Sequence, residues 1–174
     1  MHNELSKIKI VVGLGNPGRA YECTYHNVGL LALETLSTKA FRRLLSKHFS
    51  FSTTGAFTLV KPLTYMNLSG AAVRAALLYF NVKPESMLVV HDDSDIPLGA
   101  YKFSFGRGAA GHRGIESLIR ELGTKDFWRF RVGIRKTAGK ARSFVLRKIA
   151  PADKKVIYSV FRGLTEKLTR KESP

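Results

Sequence analysis

Short apolar or β-branched runs alternate along this chain with stretches of helical period, and that alternation limits the fold to an α/β architecture. Ile8 to Val12 is a β-branched run closed by Gly13, with the make-up of a buried strand. Val28, Leu31, Ala32 and Leu36 then recur on one helical face from Asn27 onward. Residues 40 to 56 are basic, then rich in Ser and Thr, and read as loop or ragged helix. Phe57 to Lys61 reads as a strand stopped by Pro62, and Ser69 opens a helix carrying Val73, Ala76, Leu77 and Phe80 inward. Met87 to Val90 is a further buried strand ending at His91-Asp92-Asp93, and residues 101 to 105 form a short strand alternating with Lys102 and Ser104. Ile115, Leu118, Ile119 and Leu122 mark a helix closed by Gly123, the residue that a left-handed cap prefers. Phe130 to Ile134 is a strand with Arg129, Arg131 and Arg135 alternating outward. A last helix from near Pro151 turns Ile157, Val160, Phe161, Leu164 and Leu168 inward and a basic face outward. The expectation is one α/β domain over residues 1–174, a mixed, mostly parallel twisted sheet flanked by helices.

Charge narrows the partners. The chain has 174 residues, with 29 Lys and Arg against 13 Asp and Glu, a formal net charge of +16. A surplus of that size favours a polyanionic partner, of which nucleic acid is the usual one. Cys23 is the sole cysteine, so neither an intrachain disulfide nor a thiolate zinc cluster can form. No apolar run approaches the roughly 20 residues of a spanning helix. Met1 to Lys9 lacks the apolar core of a signal peptide, which makes the cytoplasm the expected compartment.

Gly13-Leu14-Gly15-Asn16-Pro17-Gly18 satisfies G-x-G-x-x-G after a strand, so a dinucleotide site has to be weighed. Pro17 removes a backbone N–H from the loop that should cradle a pyrophosphate. The acid expected about 20 residues later falls at Glu34, inside a helical pattern instead of at a strand end. A tight turn after a central strand explains the glycines equally well. A third reading is that the turn holds the Asn16 amide at the carboxyl edge of the sheet, where α/β proteins place their sites.

Asn16 has company at such junctions. His26-Asn27 precedes the first long helix, Met66-Asn67 the second, and His112-Arg113 the third, while His91-Asp92 ends a strand. Singly, Asn27 and Asn67 read as caps, Asp92 as a turn acid and His26 as a satisfied histidine; jointly, they read as one cleft. A histidine can take a proton from water when a carboxylate fixes its tautomer and stabilises the imidazolium, and Asp92 can supply that carboxylate. Asparagine amides can donate to a developing oxyanion. The histidines are scattered and the acids few, so no metal site is expected. Cys23, three residues before His26, reads as an inert thiol before it reads as a nucleophile. The set favours direct attack by water on an ester.

At these residues the chain resembles the bacterial-type peptidyl-tRNA hydrolases. The matching stretches are residues 12 to 18, Tyr21 with His26-Asn27-Val28-Gly29, residues 61 to 70, and residues 91 to 99. Gly111-His112-Arg113-Gly114, residues 129 to 134 and Phe144-Val145-Leu146 complete a series spanning residues 10 to about 165. The resemblance implies a monomer that cleaves, without metal or cofactor, the ester joining a peptide to the 3′ ribose of tRNA. It implies His26 as general base, Asp92 as its orienting carboxylate, and Asn67 as the holder of the ester and its oxyanion. Asn16 would bind substrate near the tRNA terminus, Tyr21 and Met66 would line the cleft, and His112 would face the peptide. Lys102, Arg107 and Arg131 would meet tRNA phosphates, and a lid would lie around 136–152, ahead of the basic C-terminal helix.

Four positions depart from the family's pattern. Arg113 stands where asparagine is usual; arginine cannot accept a hydrogen bond, so it offers a grip on a carboxylate or phosphate instead. Tyr25 replaces a common arginine, Ser104 a phosphate-binding lysine, and Arg147 a glycine. Three functions therefore stay open at this level: a peptidyl-tRNA hydrolase, an RNA-binding relative with little turnover of the splicing-factor kind, and a nucleotide-cofactor oxidoreductase.

Overall fold

A computed structural model describes residues 2–44, 47–136 and 144–169. The short helix α1 (His2–Leu5) leads into β1 (Ile10–Gly13), and α2 (Val28–Leu36) follows through two single 3-10 turns. Next come β2 (Arg42–Leu44), β3 (Phe49–Thr53), β4 (Thr58–Pro62) and α3 (Ser69–Phe80). Then follow β5 (Met87–Pro97), β6 (Tyr101–Phe105), α4 (Arg113–Leu122), β7 (Trp128–Arg135) and α5 (Pro151–Thr169). The strands form one mixed seven-stranded sheet in the order β2-β3-β4-β1-β5-β7-β6. The parallel part is its centre, β4-β1-β5-β7, while β2-β3, β3-β4 and β6-β7 pair antiparallel, so parallel and antiparallel pairs are equal in number.

Side chains that alternate along a strand feed two different cores. Val11, Leu59, Leu88, Val90, Phe130 and Val132 pack with α2 and α5 on one face. Ile10, Val12, Val60, Val89, Phe49 and Phe51 pack with α3 and α4 on the other. Burial on both faces explains why the central strands read as continuous apolar runs. As expected, α5 turns Ile157, Val160, Phe161 and Leu164 inward, with Leu168 partly buried beside them. Gly123 closes α4 at φ 68°, the left-handed cap its position predicts.

Three expectations need correction. Residues 40–56 are not a loop or helix but contain β2 and β3. Phe49 and Phe51 alternate with Ser50 and Ser52, and all four are buried, so the strand is covered on both sides. The strand from Met87 does not end at Val90: β5 runs on past His91 and Asp92, held by pairing to Arg131 and Val132 of β7, and becomes irregular only between Asp93 and Pro97. Arg129 does not point outward. It is 2% exposed, and its Nη1 donates to the carbonyl of Gly108 at 3.0 Å in the loop after β6.

The first two glycines of the G-x-G-x-x-G turn serve packing, since a Cβ on Gly13 would lie 2.3 Å from the Gly29 carbonyl oxygen and one on Gly15 would lie 2.5 Å from Leu30 Cδ1. A Cβ on Gly29 would lie 2.3 Å from the Val90 carbonyl oxygen and 2.5 Å from the Leu14 nitrogen, so only glycine lets α2 sit this close to the ends of β1 and β5. That approach brings the residues just before α2, His26 and Asn27, to the carboxyl edge of the sheet beside Asp92.

Candidate active site

A cleft of about 450 Å³ opens at the carboxyl edge of the central strands. Asn16, Tyr21, His26, Met66, Asn67, Asp92, His112 and Arg113 all line it. Lys102, Arg107 and Arg131 do not, lying instead on and after the β6-β7 pair, where Lys102 and Arg131 face each other across the strands. Cys23 is also outside the cleft, packed against the core of the α2 and α5 face.

Asp92 is the hub. His26 Nδ1 lies 2.8 Å from Asp92 Oδ1, and His112 Nε2 lies 3.1 Å from the same oxygen. The partners assign the tautomers. His112 is the N-cap of α4, and its Nδ1 accepts from the backbone N–H groups of Gly114 and Ile115 at 3.2 and 3.3 Å. An accepting Nδ1 leaves the ring proton on Nε2, where it donates to Asp92. His26 likewise donates from Nδ1, because an ionised carboxylate only accepts, and its Nε2 has no partner among the described residues. Burial alone would raise the Asp92 carboxyl, but the His112 and His26 rings outweigh it and hold the group far below the usual carboxylate range. The carboxylate is therefore ionised at every working pH.

The three residues that the sequence scatters do converge, with donor atoms all within 4.8 Å of one another. The wiring does not fit a metal ion. Coordination through His112 Nε2 would move the ring proton to Nδ1, against two backbone N–H donors. The cluster is a hydrogen-bond chain.

His91 lies behind this chain, its ring 4.6 Å from that of His112. Its Nδ1 donates to the Asp92 carbonyl oxygen at 2.7 Å, and its buried Nε2 has no partner among the described residues. Burial, and then the neighbouring His112, hold His91 well below the ordinary histidine value. A folded state that refuses a proton the unfolded chain accepts loses stability as pH falls below about 6.5, at up to about 1.4 kcal/mol per pH unit. His91→Asn keeps a donor to the Asp92 carbonyl without the titration. Urea unfolding between pH 7 and 5 is expected to show a shallower stability loss for this variant than for the wild-type chain.

Asparagines fix the turns around the cleft. Asn27 is no side-chain cap: its Oδ1 accepts from the Asn16 N–H at 2.8 Å, and its Nδ2 donates to the Asn16 carbonyl at 2.9 Å. Asn16 Oδ1 in turn accepts from the Met66 N–H at 2.8 Å, which fixes the 3-10 turn Met66–Leu68. Asn67, on that turn, is exposed and has no hydrogen bond among the described residues. These clasps remove the dinucleotide reading. The Asn16 N–H is held by Asn27, the Leu14 N–H by the Val90 carbonyl, and Glu34 by Lys61 at 3.1 Å.

The backbone of His26 is tied from the other side. Its N–H donates to the Val145 carbonyl at 2.8 Å, and that of Tyr25 to Arg147 at 3.3 Å. Tyr25, which packs against Phe144, donates its hydroxyl to Asp153 of α5, and Lys136 pairs with Asp153 at 2.9 Å. Burial and then the bond to Asp153 raise the Tyr25 hydroxyl, while those same hydrogen bonds outweigh burial and lower Asp153. Of the lid expected around 136–152, residues 137–143 lie outside the described residues; Val145 and Leu146 line the cleft.

Sequence reasoning missed several participants. Tyr65, 53% exposed, meets Tyr21 edge to face at 6.2 Å on the cleft wall. Asp93 also lines the cleft and pairs with Arg131 at 2.7 Å. Arg129 carries its charge with Nε buried and unpaired; burial first, then the nearby Arg131, lower it to about 10. The alternation Arg129, Arg131, Arg135 was the only signal for it, and that pattern points to solvent.

A cleft at the carboxyl edge of an α/β sheet, holding a carboxylate-oriented histidine and amides without partners among the described residues, has the make-up of a hydrolase site. The peptidyl-tRNA hydrolase family model matches residues 10–171. The peptidyl-tRNA hydrolase of Aquifex aeolicus is 41% identical over 171 residues, covering 94% of this chain and 89% of that protein. The one from Nitratidesulfovibrio vulgaris (strain Miyazaki F) is 37% identical, covering 92% and 88%. A crystal structure of the Acinetobacter baumannii peptidyl-tRNA hydrolase superposes with a TM-score of 0.85 at 29% identity, covering 94% of this chain and 87% of that one. The chain belongs to the peptidyl-tRNA hydrolase family.

Proposed function

We propose that this protein hydrolyses the ester between a peptide and the 3′ ribose of tRNA, with His26 as the base that activates water. The observation that carries the reading is the 2.8 Å contact between His26 Nδ1 and Asp92 inside the cleft. In the proposed step, His26 Nε2 takes a proton as the water oxygen attacks the ester carbonyl carbon. The Asp92 carboxylate stabilises the imidazolium so formed. The oxyanion accepts from the Asn67 amide, which has no side-chain hydrogen bond among the described residues. Collapse of the intermediate breaks the bond to the ribose 3′ oxygen, which takes the proton back from His26. The products are a peptide acid and tRNA with a free 3′ hydroxyl.

The remaining residues divide between the two halves of the substrate. Both nitrogens of His112 are engaged, so it offers the peptide a ring face and serves chiefly to hold Asp92. Tyr21 and Met66 line the cleft together with Asn16. Arg113, exposed and without a carboxylate partner among the described residues, can grip a substrate phosphate or carboxylate. Lys102 and Arg107 are exposed for tRNA phosphates. Arg131 is divided between that task and Asp93, and Arg129 braces the loop that carries Arg107. We propose further that the enzyme works as a monomer without metal, since every group in this scheme comes from one chain. The cytoplasm is the proposed compartment; among the described residues no helix is long and apolar enough to cross a membrane.

Release of free tRNA from an N-acetyl-aminoacyl-tRNA by the purified wild-type chain tests the proposal. RNA binding with no turnover on any such substrate would instead favour a non-catalytic relative. Asn67→Ala is expected to lower kcat by about 10²–10³-fold, the usual cost of removing one oxyanion donor. Single-turnover kinetics at saturating substrate measure that loss apart from binding.

A further inference from the structure

Between Thr35 and Pro84 the chain runs for fifty residues without an aspartate or glutamate, and it carries seven lysines and arginines there. These residues fold as β2, β3, β4 and α3, so the unbalanced charge collects on one side of the sheet. Of the seven, Lys61 alone meets a carboxylate among the described residues, pairing with Glu34. β2 is the edge strand on that side, with Arg42 and Arg43 exposed and Lys47 exposed in the turn beyond it. The Arg42 guanidinium lies 5.6 Å over the ring of Phe51, its cross-strand partner. The Phe51 ring in turn meets that of Tyr79 at 6.3 Å, and Tyr79 is 52% exposed.

We infer that Arg42, with Tyr79 near it across Phe51, and Arg43 and Lys47 along the same sheet edge form a second RNA-binding surface that takes the phosphate backbone of an RNA helix other than the substrate's. Guanidinium groups match phosphate oxygens two at a time, and an exposed ring next to them offers a stacking face. The surface lies six strand spacings of about 4.8 Å, roughly 29 Å, from Lys102 on the opposite edge β6, too far to share its phosphates. Charge on an edge strand also deters pairing with another sheet, but that duty is met by either sign, whereas RNA requires the positive one.

Charge reversal separates the two duties. For R42E/R43E/K47E, binding of a 20-base-pair RNA hairpin is expected to weaken at least about tenfold in 0.1 M salt, with the log–log salt slope shallower by about two. The KM for N-acetyl-aminoacyl-tRNA should stay within twofold of wild type, and K102E/R107E should retain the hairpin binding that R42E/R43E/K47E loses. R42Q/R43Q/K47Q, checked for an unchanged Tm, should weaken hairpin binding in the same direction and gives the answer if the reversed variant does not fold. Unchanged hairpin affinity in the glutamine variant overturns the inference. So does a KM rising in step with hairpin Kd, which assigns the surface to substrate tRNA. Loss of binding to phosphatidylglycerol vesicles with hairpin binding intact also overturns it, in favour of a membrane surface. The hairpin measurement needs no turnover, so it stands apart from the hydrolase proposal.

Discussion

His26→Ala is expected to lower the turnover of N-acetyl-aminoacyl-tRNA by about 10²–10⁴-fold, the range that a positioned general base supplies. The side chain is 13% exposed and its backbone is held by the Val145 carbonyl and the 3-10 turn Tyr25–Asn27, so truncation removes a ring without moving the wall. tRNA affinity should hardly change, because the cations assigned to phosphate lie elsewhere, on and after β6. Comparing single-turnover rates with the Kd for uncharged tRNA separates the two. A loss confined to affinity would make His26 a binding residue.

Asp92→Asn should cost roughly 10²-fold in turnover, less than the loss of the base itself. The Asn carbonyl oxygen can still accept from His26 and His112, which keeps both tautomers, but it offers no charge to the imidazolium. The same substitution has a signature in acid. The folded-state value of Asp92 lies far below the unfolded value of about 3.9, so its stabilisation is complete above about pH 4 and disappears as pH falls through the folded value. The stability gap between wild type and Asp92→Asn, read from urea unfolding, should be full at pH 6 and narrow below pH 4. A gap that widens in acid would mean that the carboxylate is not held by its two rings.

Much of this site was legible because α/β proteins gather polar groups where strands end. Asn16, His26, Asn67, Asp92 and His112 were each readable from a junction between an apolar run and a helical period. Their roles within the cleft were less legible. Nothing in the sequence announces that His112 caps α4 with one nitrogen and holds Asp92 with the other, since both facts depend on where a helix begins in space. The edge hairpin of β2 and β3 hid behind its basic and hydroxyl-rich composition, although Phe49-Ser50-Phe51-Ser52 carries a period of two. Arg129 misled in the opposite direction. Alternation with Arg131 and Arg135 describes an outward face, and only the loop through Gly108 buries it. The glycine motif looked like a phosphate cradle because its spacing says nothing of where its N–H groups go, and here Asn27 and Val90 take two of them.

The direct test is the protonation pattern of one ring. Nitrogen-15 NMR of the histidines at neutral pH, assigned through His26→Ala, is expected to find His26 carrying its proton on Nδ1, hydrogen-bonded to Asp92, with an unprotonated Nε2. A His26 ring found neutral with its proton on Nε2 would leave no base facing the cleft and would contradict the mechanism.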